Sequence, residues 1–177
     1  HAGEGFAAVP SEWALAALAT AGERAGDRAG VVRAVVGVAE AAKSKEARGA
    51  WLIRAADLAA NDEEGARQRV DVLLRGSVAS PDKATLQRLG EAVGSLLTVA
   101  PLERDALSLR VGNATRMLTA RIEGPDGARV AIELARVALA SFADAEGGAH
   151  ALDRALGADA DVDEYAELAP YVELLAK

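Results

Sequence analysis

With 177 residues, 51% of them hydrophobic and 27% charged, the chain has the length of about one ordinary domain and a composition that excludes disorder and collagen-like repeats. It has no cysteine, which excludes disulfide scaffolds, zinc–thiolate and iron–sulfur sites, and a thiol nucleophile. The net charge of -7 is carried by one end: residues 1–140 hold 18 basic and 18 acidic side chains, whereas the last 37 residues hold two basic and nine acidic, so no nucleic-acid surface is expected.

The aromatic fraction is only 3%, namely Phe6, Trp13, Trp51, Phe142, Tyr165 and Tyr171, so alanine, leucine and valine carry the apolar content and helices are favoured. The first residue is His1, followed by Ala2, Gly3, Glu4 and Gly5, and residues 1–10 are read as a flexible segment or tag remnant of a processed or excised piece of a longer chain. Ser11 is placed to cap a first helix containing Trp13, Leu15 and Leu18, ending near Gly22 and Gly26. Asp27 opens a second, with Val31, Val35, Val38 and Ala42 on its apolar face, and Ser44 a third, with Trp51, Ala55, Leu58 and Ala59. Asn61 and Glu64 form a cap pairing for a fourth helix that buries Ala66, Val70, Leu73 and Leu74.

Ser80 and Pro81 signal a fifth start, with Leu86, Leu89, Val93 and Leu96 as its face. Pro101 begins a long helix in which Leu107, Val111, Ala114, Leu118 and Ile122 keep the helical period until Gly124 and Pro125 stop it. Asp126 restarts the chain, with Ala128, Ile132, Ala135 and Leu139 on one face, Leu134, Ala138 and Phe142 beside it, and Arg129, Glu133 and Arg136 opposite. A short helix around Ala149 to Leu156 and a closing segment from Asp163 to Leu175, interrupted at Pro170 and docked by Tyr165, Leu168, Val172 and Leu175, complete an all-α inventory. The richest apolar stretch, Val31 to Ala42, contains Arg33 and Glu40 and falls short of the ~20 residues that span a bilayer. The chain therefore reads as soluble, with no membrane insertion and a cytoplasmic location favoured.

Three helices begin with an acid, any residue, then alanine: Asp27 to Ala29, Glu64 to Ala66, and Asp126 to Ala128. The first two triplets lie 37 positions apart and Trp13 and Trp51 lie 38 apart, while the third triplet follows 62 positions later, leaving room for the helix from Pro81 to Thr98. These units resemble tetratricopeptide repeats, ~34-residue helix pairs with a Trp-x-x-Leu-Gly-x-x-Tyr opening and an Ala-x-x-x-Phe continuation. Trp51 and Leu58 match the ends of the opening in character, Ala55 stands for its glycine, and Ala66 with Val70 matches the continuation. Trp13, Ala17 and Ala29 repeat part of this, and Ala114, Met117, Ala128 and Ile132 keep the alternation of small and large residues; Arg54 and Arg33 stand where the pattern has apolar residues.

The resemblance covers residues 11–142, with 143–177 as an acidic helical segment packing on the repeats. It implies a right-handed α-solenoid of antiparallel helix pairs, acting as a protein-interaction or scaffolding module whose first helices line a concave groove for a peptide or partner helix. Carried over to this chain, the groove residues are Arg48, Leu52 and Ala59 in the second unit and Val111, Thr115 and Leu118 in the third, and the acidic end favours a basic partner. The alternative is a compact helical sensor domain built around the helix from Pro101 to Glu123, with a small apolar ligand among Ala114, Met117 and Phe142.

No catalysis and no cofactor are expected. His150, beside Gly147 and Gly148, is the single histidine apart from His1 and has no partner indicated by spacing. The cluster of Asp159, Asp161, Asp163, Glu164 and Glu167 resembles the start of a calcium loop, but the sixth position is Glu164 instead of glycine and the twelfth is Pro170 instead of glutamate, so it is read as helix N-terminal acids and no metal is assigned.

Overall fold

The computed structural model describes residues 12–159 and 163–168, and among these there is no strand. The helices in chain order are α1 (Glu12–Ala25), α2 (Arg28–Ala41), α3 (Lys45–Leu58), α4 (Glu63–Ala79), α5 (Lys83–Val99), α6 (Arg104–Thr119), α7 (Gly124–Phe142) and α8 (Ala145–Ala158), with 3-10 turns at Pro101–Glu103 and Asp163–Leu168. The fold is all-α. The N-terminal segment, the Ser11 cap, Asp161 and the end of the closing segment, with Pro170, Val172 and Leu175, lie outside the described residues. The chain divides between Ser80 and Pro81 into two compact units.

α2, α3, α4, α5 and α8 start where a short polar side chain satisfies an orphan backbone N–H. Asp27 accepts from the Gly30 N–H at 2.7 Å and Ser44 from that of Ala47 at 3.1 Å, both at the positions the sequence indicates. At two of these starts the capping residue differs from expectation. α4 is capped by Asp62, which accepts from the Gly65 N–H at 2.7 Å, and not by the Asn61–Glu64 pairing; the Asn61 side-chain oxygen instead accepts from Arg69 at 3.2 Å. α5 is capped by Asp82, accepting from Thr85 at 2.9 Å, so Pro81 precedes the helix and Ser80 closes α4.

Pro101 does open a helical run, through its 3-10 turn into α6, but α6 ends at Thr119, before the expected Glu123. Gly124 and Pro125, read as a stop, form the first turn of α7, where proline's missing N–H is no loss. Gly124 has φ +64°, which lets the chain reverse there and restart at once. α8 is longer than the expected Ala149 to Leu156, because Asp144 caps it by accepting from the Gly147 N–H at 2.9 Å.

The acid-x-alanine triplets do not share one helical position: Asp27 is an N-cap, Glu64 the second residue of α4 and Asp126 the third of α7. What recurs is Asp-x-x-Gly, at 27–30, 62–65 and 144–147, opening α2, α4 and α8. A Cβ at Gly30 or Gly147 would strike the carboxylate of its own capping aspartate, so glycine clears the cap.

In the first unit α3 and α4 run antiparallel. Gly49 of α3 faces Ser80, and Leu52 one turn on faces Gly76 of α4. Arg75 near the end of α4 pairs with Glu40 near the end of α2, so these two run parallel. The core is Val32, Val35 and Ala39 of α2, Leu52, Ala55 and Ala56 of α3, and Ala66, Val70 and Leu73 of α4. The α2 face is turned from the expected Val31, Val35, Val38 and Ala42, and Val38 is 46% exposed. The stretch Val31–Ala42 offers two apolar stripes side by side, and the one with Val32, Val35 and Ala39 is buried.

The second unit is built around α7. Residues Val130 to Ala135 are all buried, because α5, α6 and α8 each pack on this helix and leave it no solvent face there. Glu133, expected outside with Arg129 and Arg136, is therefore inside, at 1% exposure. α5 contributes Leu86, Leu89, Val93 and Leu96, and α6 Leu107, Val111, Ala114 and Leu118, as the period predicts. Each fully buried leucine is worth about 1.5–3 kcal/mol.

Helix directions follow from paired contacts. Gln87 reaches Glu133 and Gly90 lies against Val137, so α5 runs parallel to α7. Arg154 of α8 donates to the Thr119 carbonyl of α6 at 3.2 Å, and Gly148 lies against Leu139, so α8 is antiparallel to α7 and parallel to α6. The Asp163–Leu168 turn closes the unit: Tyr165 packs on Ile122, Ala128, Ala131, Ile132 and Ala155, and its hydroxyl donates to the Asp159 carbonyl at 2.9 Å.

Candidate functional site

An open cleft of about 670 Å³ lies between α6 and α8, with the end of α7 as its floor. It arises from the chain directions just described, since two parallel helices laid on the same third helix leave a furrow between them. On the α6 wall are Ser108, Val111, Gly112, Thr115 and Arg116, a spacing that holds one helix edge toward the cleft. Ala138 and Phe142 form the floor, and Glu146, Ala149, His150 and Asp153 the α8 wall.

The charges are unevenly placed. Asp144, Glu146 and Asp153 stand on the α8 side, with Asp144 also engaged as the α8 cap. Arg116 stands on the α6 side, exposed, and donates to the Asn113 side chain at 2.6 Å. His150 is exposed on the α8 wall. The Thr115 hydroxyl donates to the Val111 carbonyl at 2.9 Å, which satisfies it on its own helix. The floor is apolar and the rims are polar, the usual character of a surface that receives another molecule.

Of the residues the sequence assigns to a groove, Val111 and Thr115 line this cleft, both nearly buried. Leu118, on the same helix, is buried in the core. In the first unit Arg48 is exposed and donates to the Glu40 carbonyl at 3.4 Å, while Leu52 and Ala59 are buried, Leu52 against α4 and Ala59 with its carbonyl accepting from Arg69. Of Ala114, Met117 and Phe142, Phe142 lines the cleft, Ala114 is buried and Met117 is half exposed away from it.

The start of the α8 wall is the part sequence reasoning missed, for the helix was expected only from about Ala149, after Gly147 and Gly148. The signal was the Asp144-x-x-Gly147 spacing, which repeats the cap at Asp27 and Asp62 and moves the helix start ahead of both glycines. Among the described residues no group of three or more histidine, cysteine, aspartate or glutamate side chains is placed to hold a metal ion, and no helix is long and apolar enough to cross a membrane. A scan of protein-family models and searches of curated proteins and of solved structures gave no match to the chain.

Proposed function

We propose that the chain is a protein-interaction or scaffolding module of tetratricopeptide-like helix pairs, and that the α6–α8 cleft receives a peptide or partner helix. The observation that carries this reading is the disposition of α6, α7 and α8: two parallel helices flank an open cleft whose floor is a third helix antiparallel to both. In the repeat family the first helices of successive pairs line a groove in this way. α6 and α8 then take the part of successive first helices, and α7 that of the second helix between them. The 35 positions between the capping residues Asp27 and Asp62 support the same reading, being close to the ~34-residue repeat.

The partner's chemistry follows from the rims. Three carboxylates face one guanidinium across the cleft, which favours a basic segment with an apolar face for Phe142 and Ala138. Fluorescence anisotropy with three helical peptides tests this, each sharing one apolar face but carrying lysine, glutamine or glutamate elsewhere. The lysine peptide should bind tightest, weaken as salt rises, and lose about tenfold in affinity when Glu146 and Asp153 are both changed to lysine. Equal binding of the three peptides, or no response to the double charge reversal, refutes the assignment.

A further inference from the structure

α7 carries one carboxylate into an interior made mainly of alanine, valine, leucine and isoleucine, where Thr85, Thr115 and Thr119 are the other buried polar side chains among the described residues of this unit. The Glu133 side chain is 2% exposed. Its Oε1 accepts a hydrogen bond from Gln87 Nε2 at 3.2 Å and lies 3.7 Å from Arg136 Nη2, the second distance being longer than a hydrogen bond. A carboxylate taken out of water is costly unless hydrogen bonds and opposite charge replace its hydration. One hydrogen bond and one ion pair at that length replace only part of it.

Space adjoins this group. Glu133 lines an open cavity of about 540 Å³ between α5 and α7. Leu86, Val137 and Ala140 give it apolar walls, and Glu91 stands at its exposed rim. Two carboxylates, Glu91 and Glu133, face the cavity against one guanidinium, that of Arg136. It opens on a different side of α7 from the α6–α8 cleft, which Ala138 and Phe142 line instead.

We propose that this cavity binds a small organic cation, a primary ammonium or guanidinium on a short alkyl stem, whose head donates hydrogen bonds to Glu133 while the stem lies on Val137 and Ala140. An anion would meet two carboxylates, and an uncharged apolar ligand would leave Glu133 no better compensated than before. The same head occurs on a free alkylamine and on the lysine of a partner protein, and the two sources differ in what surrounds the stem.

The test is a titration of the ¹⁵N-labelled full chain with n-butylammonium, N-acetyl-lysine amide and butan-1-ol. Saturable shifts at the amides of Gly90 and Val137, with a Kd of about 1 mM or tighter for a cation and at least about tenfold weaker for the alcohol, are expected. Glu133→Gln should weaken the cation by a further factor of about ten. Binding of both cations assigns the site to a free amine, and binding of the lysine amide alone to a partner's side chain; either supports the proposal. Should Glu133→Gln fail to fold, the comparison of cation with alcohol on the unaltered chain decides. Failure of both cations to saturate by ~50 mM, or butan-1-ol binding as well as butylammonium, overturns it.

Discussion

Gly148 and Gly94 provide a paired test of how α8 sits on α7. Both are helical glycines, and alanine in place of either gains about 0.8–1.0 kcal/mol of intrinsic helix stability. At Gly94, in the exposed middle of α5, an added Cβ meets nothing within 4 Å, so that gain stands alone. At Gly148 the same atom would come within 2.6 Å of Leu139 Cγ, 2.7 Å of Cδ2 and 3.1 Å of Cδ1. Leu139 is 3% exposed and cannot swing into solvent, so the strain falls on the α7–α8 contact, with an overpacking cost of about 1–3 kcal/mol. Propensity cancels between the two variants to first order. Gly94→Ala should therefore stabilise by up to about 1 kcal/mol, and Gly148→Ala should lie about 1–3 kcal/mol below it. In thermal melts followed by circular dichroism, with urea melts beside them, this separates the variants by roughly 2–4 °C per kcal/mol for a chain of this size. If Gly148→Ala is as stable as Gly94→Ala, α8 does not pack on Leu139, and the cleft between α6 and α8 loses its geometry.

Two further outcomes concern local structure. Asp62→Ala should cost about 0.5–2 kcal/mol by removing the α4 cap, and Asn61→Ala less, since Asn61 makes only an exposed bond to Arg69; the reverse order in urea melts would restore the Asn61–Glu64 pairing. Burial, and secondarily the charge of Asp159, hold the Tyr165 phenol above its ordinary value of 10.0. The folded state thus favours the neutral form, and the stability this contributes is complete below pH 10.0 and lost as pH rises through the folded value. Ultraviolet titration in a Tyr171→Phe background should place the phenolate midpoint above 10.0, and a midpoint at or below it would mean that Tyr165 is not packed on the α7–α8 core.

Helix existence and most apolar faces were legible because leucine and valine keep a 3.6-residue period in α5 and α6, and the buried Leu86, Leu89, Val93 and Leu96 are the residues that period selects. Boundaries were less legible. Acids cluster at the helix starts, and only the side chain that reaches the third N–H along is the cap, which separated Asp62 from Asn61 and Asp82 from Ser80. The α2 face slipped because neighbouring valines offer two stripes and periodicity cannot choose between them. Glu133 was misplaced for a different reason: one helix's pattern records its preference for a solvent face, while the number of neighbours packed on α7 is a tertiary property. The candidate cleft was half legible, since Val111 and Thr115 follow from the repeat resemblance, whereas Glu146, His150 and Asp153 depend on a helix start hidden by two glycines.

The crossings of α7 and α8 are held by methyl groups: Ala128, Ala131 and Ala135 on one helix and Ala151 and Ala155 on the other are all at 0% exposure. Separation between these helices is therefore set largely by backbone and methyl bulk, with Leu139 and Ile132 the larger buried side chains of α7 at the contact. Substitution at such crossings is permitted in one direction only, because a methyl can be lost at modest cost but nothing larger can be admitted. Alanine is also the residue that any solvent-facing helix uses most readily. A constraint of this kind can keep a shape fixed through long divergence while writing almost nothing distinctive into the letters of the chain.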